Sequence, residues 1–286
     1  MKKSVILTGF SDEISPDLNR QLAVVKTMGM DHIEVRGVNG CCITDYTPQE
    51  AVSIRKQLDS HGIRVSSVGS PIGKIKITDD FAPHFRQFQN SVELAGILGT
   101  RYIRIFSFYM PEAEAPSLYR TEVLLRLEKM LDYAVRKDII LLHENEKDIY
   151  GDVPKRCVDL FQNLSSPNLR GIFDFANFVQ CGQDTAEAYE QLRPYIDYIH
   201  IKDARSKDKT VVPAGMGDGR IKELLLKFKL TGYTGFLSLE PHLQNFIGFH
   251  SLEETADTGE EIEDGTAAFT TAAQALKAML WDLNWY

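Results

Sequence analysis

The sequence predicts an α/β protein built as a single (β/α)8 TIM barrel that spans residues 1–286. The chain has 286 residues, and α/β barrels commonly use about 250 residues in one domain. Eight short β-branched runs alternate with amphipathic segments, as parallel strands joined by helical crossovers require. No Gly-rich nucleotide-binding turn follows the first run. A doubly wound open sheet is the alternative, but eight units is the number that closes a barrel.

The first half of the chain supplies four strand–helix units. In order they are strand Val5–Gly9 with helix Ser15–Met28, strand His32–Arg36 with helix Thr47–His61, strand Ile63–Val68 with helix Phe81–Leu98, and strand Tyr102–Phe106 with helix Leu118–Arg136. Thr47 followed by Pro48 is typical of a helix start, because threonine caps free backbone N–H groups and proline fits the first turn. Gly62 and Gly99 directly follow helical patterns and predict their ends.

The second half repeats the pattern with four further units. These are strand Ile139–Glu144 with helix Pro154–Leu164, strand Arg170–Asp174 with helix Thr185–Leu192, strand Ile196–Ile201 with helix Ile221–Leu230, and strand Phe236–Glu240 with helix Glu260–Trp281. Three long loops, 107–117, 204–220 and 241–258, each follow a strand. We therefore expect them on the face of the barrel that carries the active site.

Composition and charge exclude several classes of partner. The formal net charge of −8 repels phosphate backbones and anionic lipids, so we expect neither nucleic acid nor membrane. The N-terminal segment has too short an apolar run for a signal peptide, and no stretch approaches the length of a membrane span. The four cysteines fit no CxxC metal pattern, which is typical of thiols in a reducing compartment. These observations predict a cytoplasmic protein.

Charged side chains end four strands of the second half, where barrel enzymes place their catalytic groups. Glu144, Asp174, His200 and Glu240 occupy these ends. Three acids converging on one barrel mouth would repel each other, and burial would add a desolvation cost, so a divalent cation is the expected compensation. Three hard oxygens and one imidazole suit Mn²⁺, Mg²⁺, Co²⁺ or Zn²⁺. Structural ion pairs with nearby lysines and arginines are the alternative interpretation.

Sequence segments at these strand ends, with two upstream segments, carry a family resemblance. The segments are Leu-Leu-His-Glu144-Asn145, Ile-Phe-Asp174-Phe-Ala-Asn177, Tyr-Ile-His200-Ile-Lys202-Asp203, Leu-Ser-Leu-Glu240-Pro-His242, Gly-Phe-Ser-Asp-Glu-Ile and Gly-Met-Asp-His-Ile-Glu34-Val-Arg36. They resemble the xylose isomerase-like barrel superfamily of sugar phosphate isomerases and epimerases. The resemblance implies that the Glu, Asp, His and Glu bind one metal. It leaves the substrate open, because the superfamily also includes inosose and dehydroshikimate dehydratases and an endonuclease branch.

The sequence departs from the family pattern at two places. Many relatives have histidine two residues after the Glu of the fifth strand, where this chain has Glu146. Epimerase-like relatives have histidine three residues after the Asp of the sixth strand, where this chain has Asn177. The endonuclease branch uses extra histidines at early strand ends, which are missing here, so a role on DNA is not expected.

The resemblance implies a metal-dependent sugar or sugar phosphate isomerase or epimerase. The metal would chelate a carbonyl and a neighbouring hydroxyl, and Glu144 and Glu240 would transfer the proton through a metal-bound enediolate. The alternative is a metal-dependent dehydratase of a keto-polyol such as inosose or dehydroshikimate. The expected partner is thus a small sugar or keto-polyol. Barrels of this kind often pair through helices, which leaves a homo-oligomer open.

Several polar residues near the strand ends are further candidates for contacts with the substrate. They are Asn177, Lys202, Arg205, His242, Arg104 and Glu34. Lys202 and Arg205 follow the metal-binding histidine and offer positive charge to a carboxylate, a phosphate or a developing oxyanion. Arg104 ends the fourth strand, and a basic pair of Arg104 with Lys202 would favour the dehydratase.

Overall fold

The computed structural model describes residues 5–246 and 261–285, and a ring of eight parallel strands forms its centre. The strands, β1 to β8, are Ile6–Gly9, His32–Val35, Arg64–Val68, Tyr102–Ile105, Ile140–Glu144, Leu169–Asp174, Ile196–Ile201 and Phe236–Leu239. Sequence neighbours pair from β2 through β8, and β8 pairs in parallel with β1. A parallel bridge between Phe10 and Glu34 joins β1 to β2 and closes the ring. The predicted (β/α)8 barrel is confirmed.

Helices surround the strands on the outside. Within the described residues, α1 to α9 are Leu18–Thr27, Pro48–Ser60, Phe81–Leu98, Arg120–Arg136, Pro154–Leu164, Phe175–Gln180, Thr185–Leu192, Ile221–Leu230 and Thr266–Asp282. The predicted start of α2 forms a capping box, in which Thr47 and Glu50 each bond the other's backbone N–H. Gly99 ends α3 in a left-handed conformation at φ 77°. None of these helices has the length and apolarity that crossing a bilayer requires.

The structure adds short elements that the sequence did not predict. A six-residue helix, α6, follows β6 directly. Two small antiparallel hairpins lie in the loops after β2 and β7, pairing Gly37–Val38 with Cys41–Cys42 and Asp203–Ala204 with Val211–Val212. Helix α9 begins at Thr266, later than expected, and the predicted start at Glu260 lies outside the described residues. The same holds for the predicted loop 241–258 from residue 247 onward.

The apolar core lies mainly between the strands and the helices. On the outer face of β6, the Phe173 ring packs against Phe178 of α6 and Phe228 of α8 at centroid distances of 5.2 and 5.9 Å. Inside the ring, Leu142, Ile172 and Tyr198 form a separate buried cluster. Side chains alternate between the two faces of a strand. The face of β5, β6 and β7 that fills the barrel below therefore also supplies the residues at its mouth.

Candidate metal centre

Four predicted ligands meet above the cluster of Leu142, Ile172 and Tyr198. Each of Glu144, Asp174 and His200 lies two residues beyond a member of that cluster and so points inward. Glu240 directly follows β8. One ligand atom from each of the four residues can be chosen so that all lie within 4.8 Å of one another, and all four side chains are buried. The structure therefore brings the four candidate metal ligands together.

The imidazole of His200 stands in the middle of the acids. Its Nδ1 is 2.8 Å from Glu144 Oε1, 3.1 Å from Glu240 Oε2 and 4.0 Å from Asp174 Oδ2. Burial raises the pKa of Asp174 to about 8, against the opposing effect of Lys202 and with added repulsion from the neighbouring glutamates. Burial also raises the pKa of Glu240, but Lys202 and His200 outweigh it and hold that pKa well below its usual range. The pKa values of Asp174 and Glu240 are therefore shifted in opposite directions within the same pocket.

Two predicted cations reach the same cluster. Lys202 Nζ is 3.2 Å from Asp174 Oδ2 and 3.3 Å from Glu240 Oε2. Arg104 Nη1 is 3.1 Å from Glu144 Oε2 and 3.7 Å from Glu240 Oε1. Lys202 and Arg104 are only 3% and 4% exposed, so their charges are almost fully removed from water. Both residues are thus positioned to contact a molecule that enters the cluster.

An aromatic ring at the end of β1 supports the cationic side of the site. The guanidinium carbons of Arg36 and Arg104 lie 4.2 and 4.8 Å from the Phe10 ring centroid, which places both in cation–π range. The edge of Phe10 meets His200 at 5.3 Å. Arg36 Nη1 is also 3.6 Å from Glu240 Oε1. Phe10 thus contacts both of the arginines that share Glu240 Oε1.

An acidic residue that the sequence analysis missed lies beside Arg36. Glu13 Oε1 is 3.3 Å from Arg36 Nη2 and 3.4 Å from His242 Nε2, and the His242 backbone N–H donates to Glu13 Oε2 at 2.8 Å. Burial raises the pKa of Glu13 to about 8, although Arg36 opposes this shift. His242 Nε2 is 3.4 Å from Glu240 Oε1. The position of Glu13 just after the first strand was the available signal.

Asn177 and Glu34 contact the candidate ligands from two different directions. The Asn177 backbone N–H donates to Asp174 Oδ1 at 2.7 Å, and its side-chain amide approaches Glu144 Oε1 at 3.4 Å. Glu34 is completely buried, and its Oε2 lies 3.1 Å from His200 Nε2. Glu34 therefore meets the imidazole nitrogen that faces away from Glu144 and Glu240.

The structure does not bring Arg205 to this cluster. Arg205 is exposed, and its backbone N–H donates to the Thr210 carbonyl at 3.0 Å. The hairpin that begins at Asp203–Ala204 turns the chain away from the barrel mouth directly after Lys202. A charged residue that follows a strand end therefore need not face the pocket.

A second ion-pair group, also unforeseen, lies at the mouth. Lys74 Nζ is 3.1 Å from Glu146 Oε2, and Lys147 Nζ is 3.7 Å from Glu146 Oε1. Glu146 is buried, which raises its pKa, but Lys74, Lys147 and Lys202 outweigh this effect and hold the pKa well below its usual range. Glu146, which replaces the family histidine, is thus an ionised partner of lysines.

The donor set of the central cluster fits a divalent ion. It offers one imidazole nitrogen and three carboxylates, the ligands that catalytic zinc, manganese and magnesium sites use. Asp174 Oδ2 is buried and makes no hydrogen bond to any described residue, although it lies in ion-pair range of Lys202. Three carboxylates buried in one pocket repel each other, and a divalent ion would add positive charge to that of Lys202. Glu144, Asp174, His200 and Glu240 are therefore the residues that would hold a metal.

Comparisons with known proteins agree with this architecture. A 3-dehydroshikimate dehydratase from Bacillus anthracis is 25% identical over 134 residues, which are 47% of this chain and 48% of that protein. The chain thus matches about half the length of this relative. A 2-epi-5-epi-valiolone 7-phosphate 2-epimerase from an Actinoplanes species is 26% identical over 216 residues, covering 74% of this chain and 77% of that protein.

A solved structure and a family profile extend the comparison over most of the chain. The structure of an L-ribulose 3-epimerase superposes with a TM-score of 0.78 at 18% identity, covering 98% of this chain and 96% of that chain, which bears on the fold alone. The profile of the xylose isomerase-like TIM barrel family matches residues 22–277. The chain therefore belongs to the xylose isomerase-like TIM barrel family.

Proposed function

We propose that the chain is a metal-dependent isomerase or epimerase that moves a proton next to the carbonyl of a small sugar, sugar phosphate or keto-polyol. The observation that carries the proposal is the placement of Glu144 and Glu240 beside the same nitrogen of one buried imidazole, 2.8 and 3.1 Å from His200 Nδ1. Two carboxylates that face one pocket from β5 and β8 can serve as acid and base at a single carbon.

A divalent metal held by the four ligands would supply Lewis-acid polarisation of the substrate carbonyl. The protein's own groups then divide the remaining work. One of Glu144 and Glu240, in its ionised form, takes the proton from the carbon beside the carbonyl, and the other, in its protonated form, returns a proton to that carbon. Arg104 contacts both glutamates and compensates part of their negative charge, while Lys202 offers positive charge to the developing oxyanion. The almost complete burial of these groups excludes bulk water and strengthens each charge interaction.

The named relatives support this class of chemistry. One is an epimerase and the other is a dehydratase, and both reactions can begin with removal of a proton beside a carbonyl. The metal remains part of the proposal, with Mn²⁺, Mg²⁺, Co²⁺ and Zn²⁺ as the candidates that suit three oxygens and one imidazole.

Solvent deuterium exchange tests the proposal most directly. Metal-loaded protein in D₂O is screened against ketoses, ketose phosphates and inososes, and label is expected at the carbon next to the carbonyl. Glu144→Gln and Glu240→Gln should lower the exchange rate by about 10²–10⁴, with metal content measured for each variant. Glu128→Gln, on the exposed face of α4, is the matched control. Wild-type exchange rates in both active-site variants would refute the proposal.

A dehydratase is the second candidate, and one observation favours it. Lys202 and Arg104 are both buried beside the acids, so they form the basic pair that would hold the carboxylate of a substrate such as dehydroshikimate. Lys202 could also donate a proton to a departing hydroxyl. Product analysis separates the candidates, because dehydration gives an ultraviolet-absorbing enone or diketone, whereas epimerisation changes only the label and the stereochemistry.

A further inference from the structure

The nitrogen of His200 that faces away from Glu144 and Glu240 also has a defined set of polar contacts. His200 Nε2 is 3.1 Å from Glu34 Oε2, and the Ser238 hydroxyl donates to the same oxygen at 2.6 Å. Glu34 and His200 are completely buried. Among the described residues, His200 is the ion-pair partner of Glu34, and no lysine or arginine contacts this carboxylate. Burying a carboxylate with a single ionic contact is energetically costly, which indicates that Glu34 has a role at this site.

We infer that Glu34 is a positioning residue that holds His200 with its Nε2–H bonded to the carboxylate and its Nδ1 lone pair directed at the metal. The inference rests on the proposed function, because it assumes that the cluster binds a divalent ion. A neutral imidazole has one donor and one acceptor nitrogen, and a carboxylate accepts only. Both ring nitrogens face a carboxylate, because Nδ1 lies 2.8 Å from Glu144 Oε1. A metal held by the three acids would take the place of a proton at Nδ1, and the Glu34 contact then keeps the remaining proton on Nε2. Such outer carboxylates fix ring orientation and raise ligand basicity.

Two aromatic rings pack against the imidazole of His200. The Phe10 ring meets the imidazole edge-on at 5.3 Å and an interplanar angle of 75°. The Tyr198 ring does the same at 5.8 Å and 79°. These contacts restrict rotation of the ring and favour the orientation in which one nitrogen meets Glu34 and the other meets Glu144 and Glu240.

Glu34 is itself held by its surroundings. It belongs to β2 and forms the bridge to Phe10 that closes the barrel, so its backbone is fixed by the seam of the sheet. A chain of hydroxyls continues below the ring, with Tyr198 bonded to Ser66 at 2.9 Å and Ser66 to Thr8 at 2.8 Å. The backbone of Glu34 is therefore fixed by the barrel, and its carboxylate in turn fixes the position of the His200 ring.

Metal affinity is the readout that tests this role. The dissociation constant for Zn²⁺ is measured by chelator competition in wild type, Glu34→Met and Glu34→Gln. The methionine variant should bind Zn²⁺ about 10–100-fold more weakly. The glutamine variant, whose amide oxygen still accepts from Nε2–H, should recover a large part of this loss. Ser91→Ala is the matched control, since it removes a buried hydroxyl that donates to the Gln87 carbonyl within α3, and it should bind Zn²⁺ as wild type does.

A second measurement does not depend on any Glu34 variant folding. In ¹⁵N-histidine-labelled wild type loaded with Zn²⁺, the His200 signals, assigned with His200→Asn, should show a protonated Nε2 and a metal-bound Nδ1. The opposite assignment, or unchanged affinity in Glu34→Met, would overturn the inference while leaving the proposed function intact. Wild type that binds neither Zn²⁺ nor Mn²⁺ would instead refute the proposed function.

Discussion

Lys202 is a buried ammonium group between two of the candidate metal ligands. Its replacement by methionine tests how much its charge stabilises these ligands when no metal is bound. Its Nζ lies 3.2 Å from Asp174 and 3.3 Å from Glu240. Removing one partner of a buried ion pair costs about 3–5 kcal/mol, because the remaining carboxylates stay buried with less compensating charge. A change of 1 kcal/mol moves the midpoint of a chain near this size by about 2–4 °C. Lys202→Met should therefore lower the melting temperature by roughly 6–20 °C in EDTA.

A bound divalent ion would compensate the same carboxylates that Lys202 compensates in its absence. The rise in melting temperature on adding Mn²⁺ or Zn²⁺ should therefore be larger for Lys202→Met than for wild type. Differential scanning calorimetry with and without metal measures both effects. Lys56→Met, on the exposed face of α2, is the control and should match wild type. A variant that melts with wild type in EDTA, or gains less from metal, would refute the reasoning.

Three further predictions concern the scaffold. His84 accepts from the Gly73 N–H at 2.7 Å, and burial lowers its pKa to about 4. Protons bind the unfolded chain more readily between pH 6.5 and 4, so stability falls as pH drops through that window. His84→Gln should remove about 1–2 kcal/mol of the stability that wild type loses between pH 7 and 5; equal losses in the two proteins, measured by urea titration at both pH values, would contradict this. Gly73→Ala should cost about 3 kcal/mol, because φ is 95° and a Cβ would collide with the Phe106 carbonyl; a wild-type urea midpoint would show the reasoning to be wrong. Asp203→Asn should cost about 2–4 kcal/mol, since four backbone N–H groups converge on that carboxylate; a melting temperature unchanged from wild type would contradict this.

The barrel was predictable because each strand and helix carries its own local signals. Thr47 and Glu50 cap a helix in the way that their sequence positions indicate, and Gly99 ends one. The missed elements are too short to show a period. Helix α6 has six residues, and the strands of each extra hairpin have two. Only Asp174, a good capping residue, marked the start of α6 in the sequence.

The central acids could be found from the sequence because all parallel strands of a barrel end at the same rim. A residue that ends a strand is therefore predicted to lie at that rim. Loop residues do not follow this rule. Lys74 reaches Glu146 through a turn that depends on Gly73, whereas Arg205 follows a strand closely and still lies exposed. Contacts that depend on the path of a loop are set by backbone geometry that residue types do not encode locally.

The two carboxylate oxygens of Asp174 make different contacts. Oδ1 accepts the Asn177 N–H that starts α6, while Oδ2 faces Lys202 and the other acids. Asp174→Ala would remove both the N-cap of α6 and a candidate metal ligand. Inactivity of that variant would therefore not identify loss of metal coordination as its cause. Asparagine keeps an acceptor for the helix start and discards only the charge. Asp174→Asn is therefore the substitution that isolates the electrostatic contribution of this side chain.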